Sequence, residues 1–358
     1  MIENRLPPKT PDPVVCETMA GSTPPDRKPG SADAAPRVKT VACVAGLSLE
    51  RGVPTAEIHD YIRAAENLVW VDVQDPGPEE LSMLLEEFGF HPLALEDVTA
   101  GQQRPKVDEY KGYLFAVTYC VAPEAALPDL QTVEVDLFIG RNYLVTIHRG
   151  RLPVLEEALG RWTRGGPMLR EGVGFLVYTV MDALINTYFP VIDAIEDAIE
   201  ENEVAMFDRF RGEGVHELLR LKRTLIALRR VLYPLRETFQ IFLRPDHVWF
   251  SAGTLIYFQD LYNHILRLLD VLDIQRDMLT SSLEAYLTVI SNRLNQTMKT
   301  LGMLTAAVAV LSAVFGAWGM NFEAIPLAGS PWGFAVVVGL TLGFIGLLGL
   351  AGWLRGWI

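Results

Sequence analysis

Two long, uncharged apolar runs near the C-terminus constrain this chain more than any other feature. The first extends from about Thr300 to Trp318 and the second from Trp332 to Leu354. Each is long enough to cross a bilayer as a helix, and the Trp residues at their ends are typical of interfacial anchors. The sequence therefore predicts two transmembrane helices joined by a short extracytoplasmic loop over 320–331. A content of 50% hydrophobic residues and a mean hydropathy of +0.20 indicate that a soluble body accompanies them.

The basic residues predict the orientation of these spans. Arg293 and Lys299 precede the first span and Arg355 follows the second, whereas the loop has one acid, Glu323, and no Lys or Arg. Basic flanks stay in the cytoplasm. We therefore expect a multi-pass protein of the cell inner (plasma) membrane with both termini cytoplasmic, the C-terminus comprising only 355–358.

The N-terminal segment and the overall charge exclude several classes of protein. Residues 1–39 are rich in Pro, Gly and Ser and lack an apolar signal region, which indicates a disordered cytoplasmic tail. The net charge of -13 argues against a nucleic-acid partner. The cysteines Cys16, Cys43 and Cys120 form neither a disulfide framework nor a zinc motif, which favours a reducing interior for the body.

Residues 40–170 are predicted to form a cytoplasmic α/β domain. Strand-like runs occur at 68–73, 113–121 and 133–148, and a helical pattern occurs at 78–88. The domain contains no nucleophile motif, phosphate-binding loop or metal-ligand cluster, so we expect neither an enzyme nor a bound cofactor. His91 precedes Pro92, and we expect it to stabilise a turn or a helix start rather than to act in catalysis.

Residues 171–250 are predicted to form a cytoplasmic helical hairpin from helices at about 173–207 and 214–243. The first helix ends in an acidic cluster, whereas the second helix is basic. An antiparallel hairpin with complementary faces explains both, and the alternative is an acidic surface that gathers cations near a pore. The acidic residues are Asp193, Glu196, Asp197, Glu200, Glu201 and Glu203, and the basic ones are Arg220, Lys222, Arg223, Arg229, Arg230 and Arg236.

A single stalk helix over 251–319 is predicted to continue into the first span. No Pro occurs between Asp246 and Pro326, and a helix of this length would extend on the order of 100 Å. Alternating steps of three and four residues along it trace a stripe with a period of 3.5, whose members are polar or small except for Ile274 and Met298. The stripe comprises Asp260, Asn263, Arg267, Asp270, Ile274, Asp277, Ser281, Glu284, Thr288, Ser291, Asn295, Met298, Gly302, Thr305, Ala309, Ser312, Gly316 and Gly319.

A polar face is costly against lipid, so this polar stripe is expected to face water or protein. Two spans cannot enclose an aqueous path, and we infer a symmetric ring of copies with the stripe inward, supercoiled with a left hand. The alternative is that the glycines and Ala309 are small-residue contacts between packed helices. That alternative does not explain why the acids Asp270, Asp277 and Glu284 lie on the same stripe.

Four groups of residues carry a resemblance to the CorA family of divalent-cation (magnesium/cobalt) transporters. They are His91–Asp97 followed by Gln103–Lys106, then Asp182–Leu184 with Tyr188–Pro190, then Ser291–Asn295 with Met298–Lys299, and finally Gly319–Glu323, which contains Gly319, Met320 and Asn321. From about residue 40 to its end the chain resembles this family.

The resemblance implies a CorA-like, funnel-shaped homopentamer with an α/β cytoplasmic domain, a long stalk helix and two transmembrane helices. It implies a ring of Asn321 at the outer mouth, a deeper ring of Asn295, and a hydrophobic gate at Met298 and Leu301. The polar stripe adds Thr305 and Ser312 to the pore. It also implies a regulatory site between subunits in which Asp97 and Asp260 bind the ion that is transported, Mg²⁺ or else Co²⁺ or Zn²⁺.

The residues after Asn321 do not decide which ion is transported. The sequence Ile325-Pro326-Leu327 occupies the place where the magnesium-transporting branch of the family usually has Met-Pro-Glu. In this respect the loop is somewhat similar to that of the zinc-transporting branch, ZntB. No His or Cys follows His264, which argues against a zinc ligand site in the pore. Our leading hypothesis is a channel for hydrated Mg²⁺ that tolerates Co²⁺ or Ni²⁺. The alternatives are a proton-coupled zinc transporter and a membrane-anchored cation sensor that conducts nothing.

Overall fold

The structure, a computed structural model, describes residues 37–46, 48–164, 166–208, 213–244, 250–251, 253–320, 327 and 329–354. Most of the predicted N-terminal tail and all of the C-terminal segment 355–358 lie outside these residues.

A seven-stranded mixed sheet forms the centre of the α/β domain, in the order β2-β1-β3-β7-β6-β5-β4. β3 and β7 pair in parallel, and the neighbouring pairs in the described sheet are antiparallel. The strands are β1 (Val38–Val44), β2 (Ser48–Arg51), β3 (Leu68–Gln74), β4 (Lys106–Tyr110), β5 (Tyr113–Val121), β6 (Thr132–Ile139) and β7 (Tyr143–His148).

Helices cover both faces of this sheet. On one face, α1 (Ile58–Arg63), α2 (Pro78–Phe88) and α3 (Pro92–Ala100) pack on a core that includes Phe90 and Phe138. On the other, α4 (Pro153–Thr163) and α5 (Val173–Asn186) pack on a core that includes Trp70 and Trp162, whose rings meet edge to face at 6.1 Å. Short 3-10 helices span Thr55–Glu57 and Gly166–Glu171. The predicted strands at 68–73 and 113–121 and the predicted helix at 78–88 are therefore present, inside a larger sheet. The strand expected over 133–148 is wrong as one element, because a turn at 140–142 divides it into the antiparallel pair β6 and β7.

The remaining elements are helices: α6 (Phe189–Asp208), α7 (Glu213–Phe242), α8 (Leu255–Trp318) and α9 (Gly333–Leu354). The expected single helix over 173–207 is wrong, because it divides into α5 and α6 around Thr187 and Tyr188. Pro190 explains the division, since its ring clashes with the preceding turn and it has no N–H to donate. Tyr188 is fully buried at the break, and its hydroxyl donates to the Tyr119 carbonyl at 2.9 Å.

α8 has 64 residues and is about 96 Å long at 1.5 Å per residue. Its first half packs through one apolar seam against α5, α6 and α7. Within that seam, the Gln275 side-chain amide donates to the Ile192 carbonyl at 2.9 Å and fixes α8 to α6. The seam residues are all buried: Leu261, Ile265, Leu268, Leu272 and Leu279. This packing supports a helix that would be unstable alone.

Candidate ion pathway and cation sites

The polar stripe lies on the face of α8 opposite the buried seam. In the first half of the helix, stripe members such as Asp270 and Asp277 are exposed, whereas Leu272 and Leu279, two positions further on, are fully buried. Every member of the stripe from Asp260 to Gly319 is exposed in the single chain. The fold therefore leaves this face free along the whole helix.

Two stripe hydroxyls are oriented by their own helix. Thr305 Oγ1 donates to the Leu301 carbonyl at 2.8 Å, and Thr288 Oγ1 donates to the Glu284 carbonyl at 3.0 Å. Because each hydroxyl donates its hydrogen to the helix, the lone pairs of its oxygen remain available to accept hydrogen bonds. The water molecules around a hydrated cation point their hydrogens outward and donate hydrogen bonds. Acceptor oxygens at these positions therefore suit an ion that keeps its water.

The second half of α8 has little cover from the rest of the chain. All residues from 291 to 302 are exposed, including Asn295 and the predicted gate residues, of which Met298 is 66% and Leu301 is 55% exposed. Ser312 is exposed as well. Exposed apolar surface of this extent needs lipid or protein around it.

α8 ends at the Gly-Met-Asn motif. Gly319 caps the helix by donating its N–H to the Phe315 carbonyl at 2.9 Å, and Met320 follows it, 52% exposed. The rings of Trp318 and Phe334 meet at 6.2 Å and join the end of α8 to the start of α9. Asn321 and Glu323 lie outside the described residues.

Three helical segments are long and apolar enough to cross a membrane, one more than the sequence predicted. The most apolar window of Leu255–Trp318 is 0% buried within the chain and that of Gly333–Leu354 is 6% buried. The additional segment, Val173–Val204, is 61% buried because α5 packs between the sheet and α8, and α6 packs against α7 and α8. Its apolar character is accounted for by this packing in the core.

The two carboxylates of the predicted regulatory site lie on different elements. Asp97, on α3, accepts from Lys106 Nζ at 2.7 Å, and the same ammonium lies 2.7 Å from Asp108. Asp260, in the second turn of α8, is 56% exposed at its side chain and lies 3.8 Å from His264 Nε2. The resemblance assigns the two carboxylates to neighbouring subunits, so they are not expected to pair within one chain.

Lys106 is held firmly as a cation beside Asp97. Burial lowers the pKa of its ammonium, but hydrogen bonds to Asp108 and Asp97 outweigh that effect, and the pKa is raised above its ordinary value. Asp97 therefore already has a positive partner that a divalent ion would have to displace or share.

The acidic and basic helices do not pair as predicted. Among the described residues, no ion pair joins the acidic cluster of α6 to the arginines of α7. Arg220 instead binds Asp129 at 2.7 Å, and Arg229 binds Asp273 of α8 at 3.2 Å. The reason is geometric, since the basic face of α7 is turned toward the loop after β5 and toward α8. Asp270, Asp277 and Glu284 also form no ion pair with any described residue.

His91 has the structural role expected for it. It is the N-cap of α3, and its Nδ1 accepts from the Leu93 backbone N–H at 3.2 Å. Its own backbone N–H donates to the Tyr113 hydroxyl at 2.9 Å.

Sequence reasoning missed a buried acidic site between β6 and α3. Asp136 is 5% exposed, and burial raises the pKa of its carboxyl well above the usual range, with the Glu134 charge adding to the effect. Two acids alternating with Val and Leu along a strand would ordinarily face solvent. The signal available was that Asp136 lies inside a predicted strand, between the apolar residues Val135 and Leu137.

The fold and the free stripe define a class of protein: a membrane protein with a soluble α/β body and a long helix whose polar face is unpartnered in one chain. Comparison with known proteins identifies the family. A family model described as CorA-like Mg2+ transporter protein matches residues 65–355, and the chain belongs to that family. The fold is also similar to that of a ZntB cytoplasmic domain from Vibrio parahaemolyticus, with a TM-score of 0.54 at 11% identity, covering 63% of this chain and 88% of that one.

Several relatives match over most of their length. YfjQ of Bacillus subtilis is 34% identical over 290 residues, covering 80% of this chain and 89% of the relative. The cobalt/magnesium transport protein CorA of Thermotoga maritima is 33% identical over 257 residues, covering 71% and 72%. A solved structure of the CorA magnesium transporter from Methanocaldococcus jannaschii matches with a TM-score of 0.76 and 25% identity, covering 89% of this chain and 98% of that one. The predicted resemblance and the predicted fold of the single chain are confirmed.

Proposed function

We propose that this chain forms a homopentameric channel that moves hydrated divalent cations across the cell inner membrane, with Mg²⁺ preferred and Co²⁺ or Ni²⁺ tolerated. The observation that carries the proposal is the polar stripe of α8, which is exposed from Asp260 to Gly319 and opposite the packed seam. A ring of copies with this face inward encloses an aqueous path and shields it from lipid. The ions are the substrate, and the channel needs no cofactor, catalytic residue or nucleic-acid partner.

Only the second half of α8 and α9 cross the membrane in this proposal. Burial supports that choice, because the third apolar segment is already used in the core of the body. The stalk and the α/β domain then lie in the cytoplasm with both termini. The lipid membrane and the other copies of the chain are its structural partners.

Selectivity is assigned to neutral oxygens. Mg²⁺ gives up its waters reluctantly, so a ring of amides and hydroxyls can bind the hydrated ion through those waters. Asn321 supplies the outer ring, Asn295 the inner ring, and Thr305 and Ser312 the wall between them. Weak binding lets the ion leave, which conduction requires. Met298 and Leu301 form the hydrophobic gate.

Regulation is assigned to Asp97 and Asp260 of adjacent subunits. A divalent ion bound between them would join the subunits and favour the closed state when the internal concentration is high. The exposure of Asp260 supports an intersubunit role, since 56% of its side chain is accessible in the single chain and His264 of the same helix lies 3.8 Å away. The stalk acids Asp270, Asp277 and Glu284 would raise the cation concentration along the cytoplasmic vestibule.

Ion flux into proteoliposomes tests the proposal. The full chain is reconstituted with dyes for Mg²⁺ and Zn²⁺, with and without a pH gradient. We expect Mg²⁺ entry that does not depend on the pH gradient. Zinc entry driven by the proton gradient would replace this proposal with the zinc-transporter alternative, and absence of flux of either ion would leave the sensor alternative.

A further inference from the structure

A cavity of about 250 Å³ lies between the sheet and the end of α3, and it is not lined by Asp97, by Asp260 or by the α8 stripe. Its wall includes Glu134 and Asp136 of β6, Tyr119 of β5 and Arg149. Because alternate side chains of a strand share one face, both carboxylates are on the α3 side of the sheet. The cavity belongs entirely to one chain.

Each of the two carboxyl groups that line this cavity has a buried oxygen without a hydrogen-bond partner among the described residues. Asp136 is 5% exposed, and its Oδ1 has no hydrogen-bond partner among the described residues. Glu134 Oε2 accepts from the Tyr119 hydroxyl at 2.7 Å and from the Gln103 N–H at 3.1 Å, but its Oε1 is buried without a partner. Leaving such groups unpaired is costly, which points to a ligand that binds them.

The cations nearest to these carboxylates are engaged elsewhere. Arg149 Nη2 donates to the Thr99 carbonyl at 2.8 Å, and Lys106 lies between Asp97 and Asp108. Neither forms an ion pair with Glu134 or Asp136 among the described residues. The oxygens of Glu134 and Asp136 therefore remain available to an external cation, which would displace the proton that burial favours on Asp136 by raising its pKa.

The size and the donor set favour a small divalent ion that keeps part of its water. Mg²⁺ is commonly held by one or two carboxylates with waters completing its octahedron, and at about 30 Å³ per water the cavity has room for several. No cluster of three or more His, Cys, Asp or Glu able to hold a bare metal occurs in the described part of the chain. We infer that each α/β domain binds one hydrated divalent cation through Asp136 and Glu134, whether or not the chain conducts ions.

Mn²⁺ binding to the full chain in detergent tests this site. The variants are made in an Asp97→Asn/Asp260→Asn background, so that the proposed intersubunit site is absent, and free Mn²⁺ is counted by electron paramagnetic resonance. We expect Asp136→Asn to remove about one tightly bound Mn²⁺ per chain. Glu134→Gln keeps an acceptor for Tyr119 and should weaken the binding at least tenfold. Glu109→Gln, an exposed acid on β4, is the matched control and should bind as the background does.

Thermal unfolding of the same proteins supplies the second measurement. Mg²⁺ should raise the unfolding temperature of the background and of Glu109→Gln through this site, and the rise should be smaller in Asp136→Asn and Glu134→Gln. Equal Mn²⁺ stoichiometry and an equal Mg²⁺ response in all four proteins would overturn the inference. If Asp136→Asn does not fold, Glu134→Gln decides the question by the same two measurements, and these results do not depend on ion flux.

Discussion

At the scale of single residues, the proposed pore and the regulatory site use different oxygen chemistry. The proposed pore offers amide and hydroxyl oxygens, of which Thr305 Oγ1 is oriented as an acceptor by its bond to the Leu301 carbonyl. The proposed regulatory site uses carboxylates, which hold a divalent ion longer. Fast passage and slow sensing are thus assigned to separate groups of side chains.

The Asn321→Ala substitution tests the outer ring. The methyl group offers no acceptor to the waters around Mg²⁺, so we expect Mg²⁺ flux to fall at least tenfold while the oligomer remains intact on size exclusion. The control is Asn292→Ala, which removes an exposed amide that lies outside the stripe. Normal uptake by Asn321→Ala would refute the assigned role.

Lys106→Met tests whether the lysine competes with the regulatory ion. Without its ammonium, Asp97 and Asp108 lose a partner at 2.7 Å from each, and Asp97 becomes a stronger ligand. We expect half-closure at an internal Mg²⁺ concentration lower by about three- to tenfold, since a surface ion pair contributes about 1 kcal/mol. Lys111→Met, an exposed lysine at the same hairpin, should leave the midpoint unchanged. A shift of the midpoint to higher Mg²⁺ in Lys106→Met would contradict the competition.

At the scale of elements, α8 combines two faces with different functions. One face holds the stalk to α5, α6 and α7 through leucines, and the opposite face carries the stripe. Farther along, Leu287, Leu294 and Leu304 are 61–64% exposed in the single chain. The seam therefore stabilises the subunit, whereas the exposed leucines are available for contact with other copies or lipid.

Leu272→Ala should separate these two faces. Leu272 is fully buried, so we expect the free energy of unfolding of the α/β body and its stalk to fall by about 2–5 kcal/mol. Leu294→Ala changes the same residue type where it is 61% exposed and should leave the unfolding of that body within about 0.5 kcal/mol. The measurement is chemical unfolding followed by circular dichroism. Equal losses in both variants would show that the seam is misplaced.

Local patterns predicted most of the elements but not their pairing. The helix at 78–88 and the strand at 113–121 were predicted with the bounds of α2 and β5, because Gly and Pro residues delimit them. The parallel pairing of β3 with β7 joins residues such as Val69 and Tyr143, and local periodicity carries no information at that separation. The free polar face of α8 was predicted from spacing alone. The cavity at Asp136 was not, because its burial depends on α3 covering a strand distant in sequence.

At the scale of the whole molecule, the proposed channel requires several copies of the chain. The second half of α8 and α9 bury little of their surface within one chain, so their stability depends on lipid and on neighbouring subunits. A ring places the polar stripe on its axis and the exposed leucines between subunits or against lipid. The proposed function therefore depends on the claim that the polar stripes of several chains face one shared aqueous path.

Cysteine accessibility along α8 tests that claim most directly. Ser312→Cys is on the stripe and Ala313→Cys is one position away, rotated by about 100°, and both are made with Cys16, Cys43 and Cys120 replaced by Ala. A water-soluble methanethiosulfonate reagent is applied to proteoliposomes during Mg²⁺ flux. We predict that the reagent blocks flux through Ser312→Cys and leaves Ala313→Cys unchanged. Block of Ala313→Cys with no effect on Ser312→Cys would contradict the inward-facing stripe.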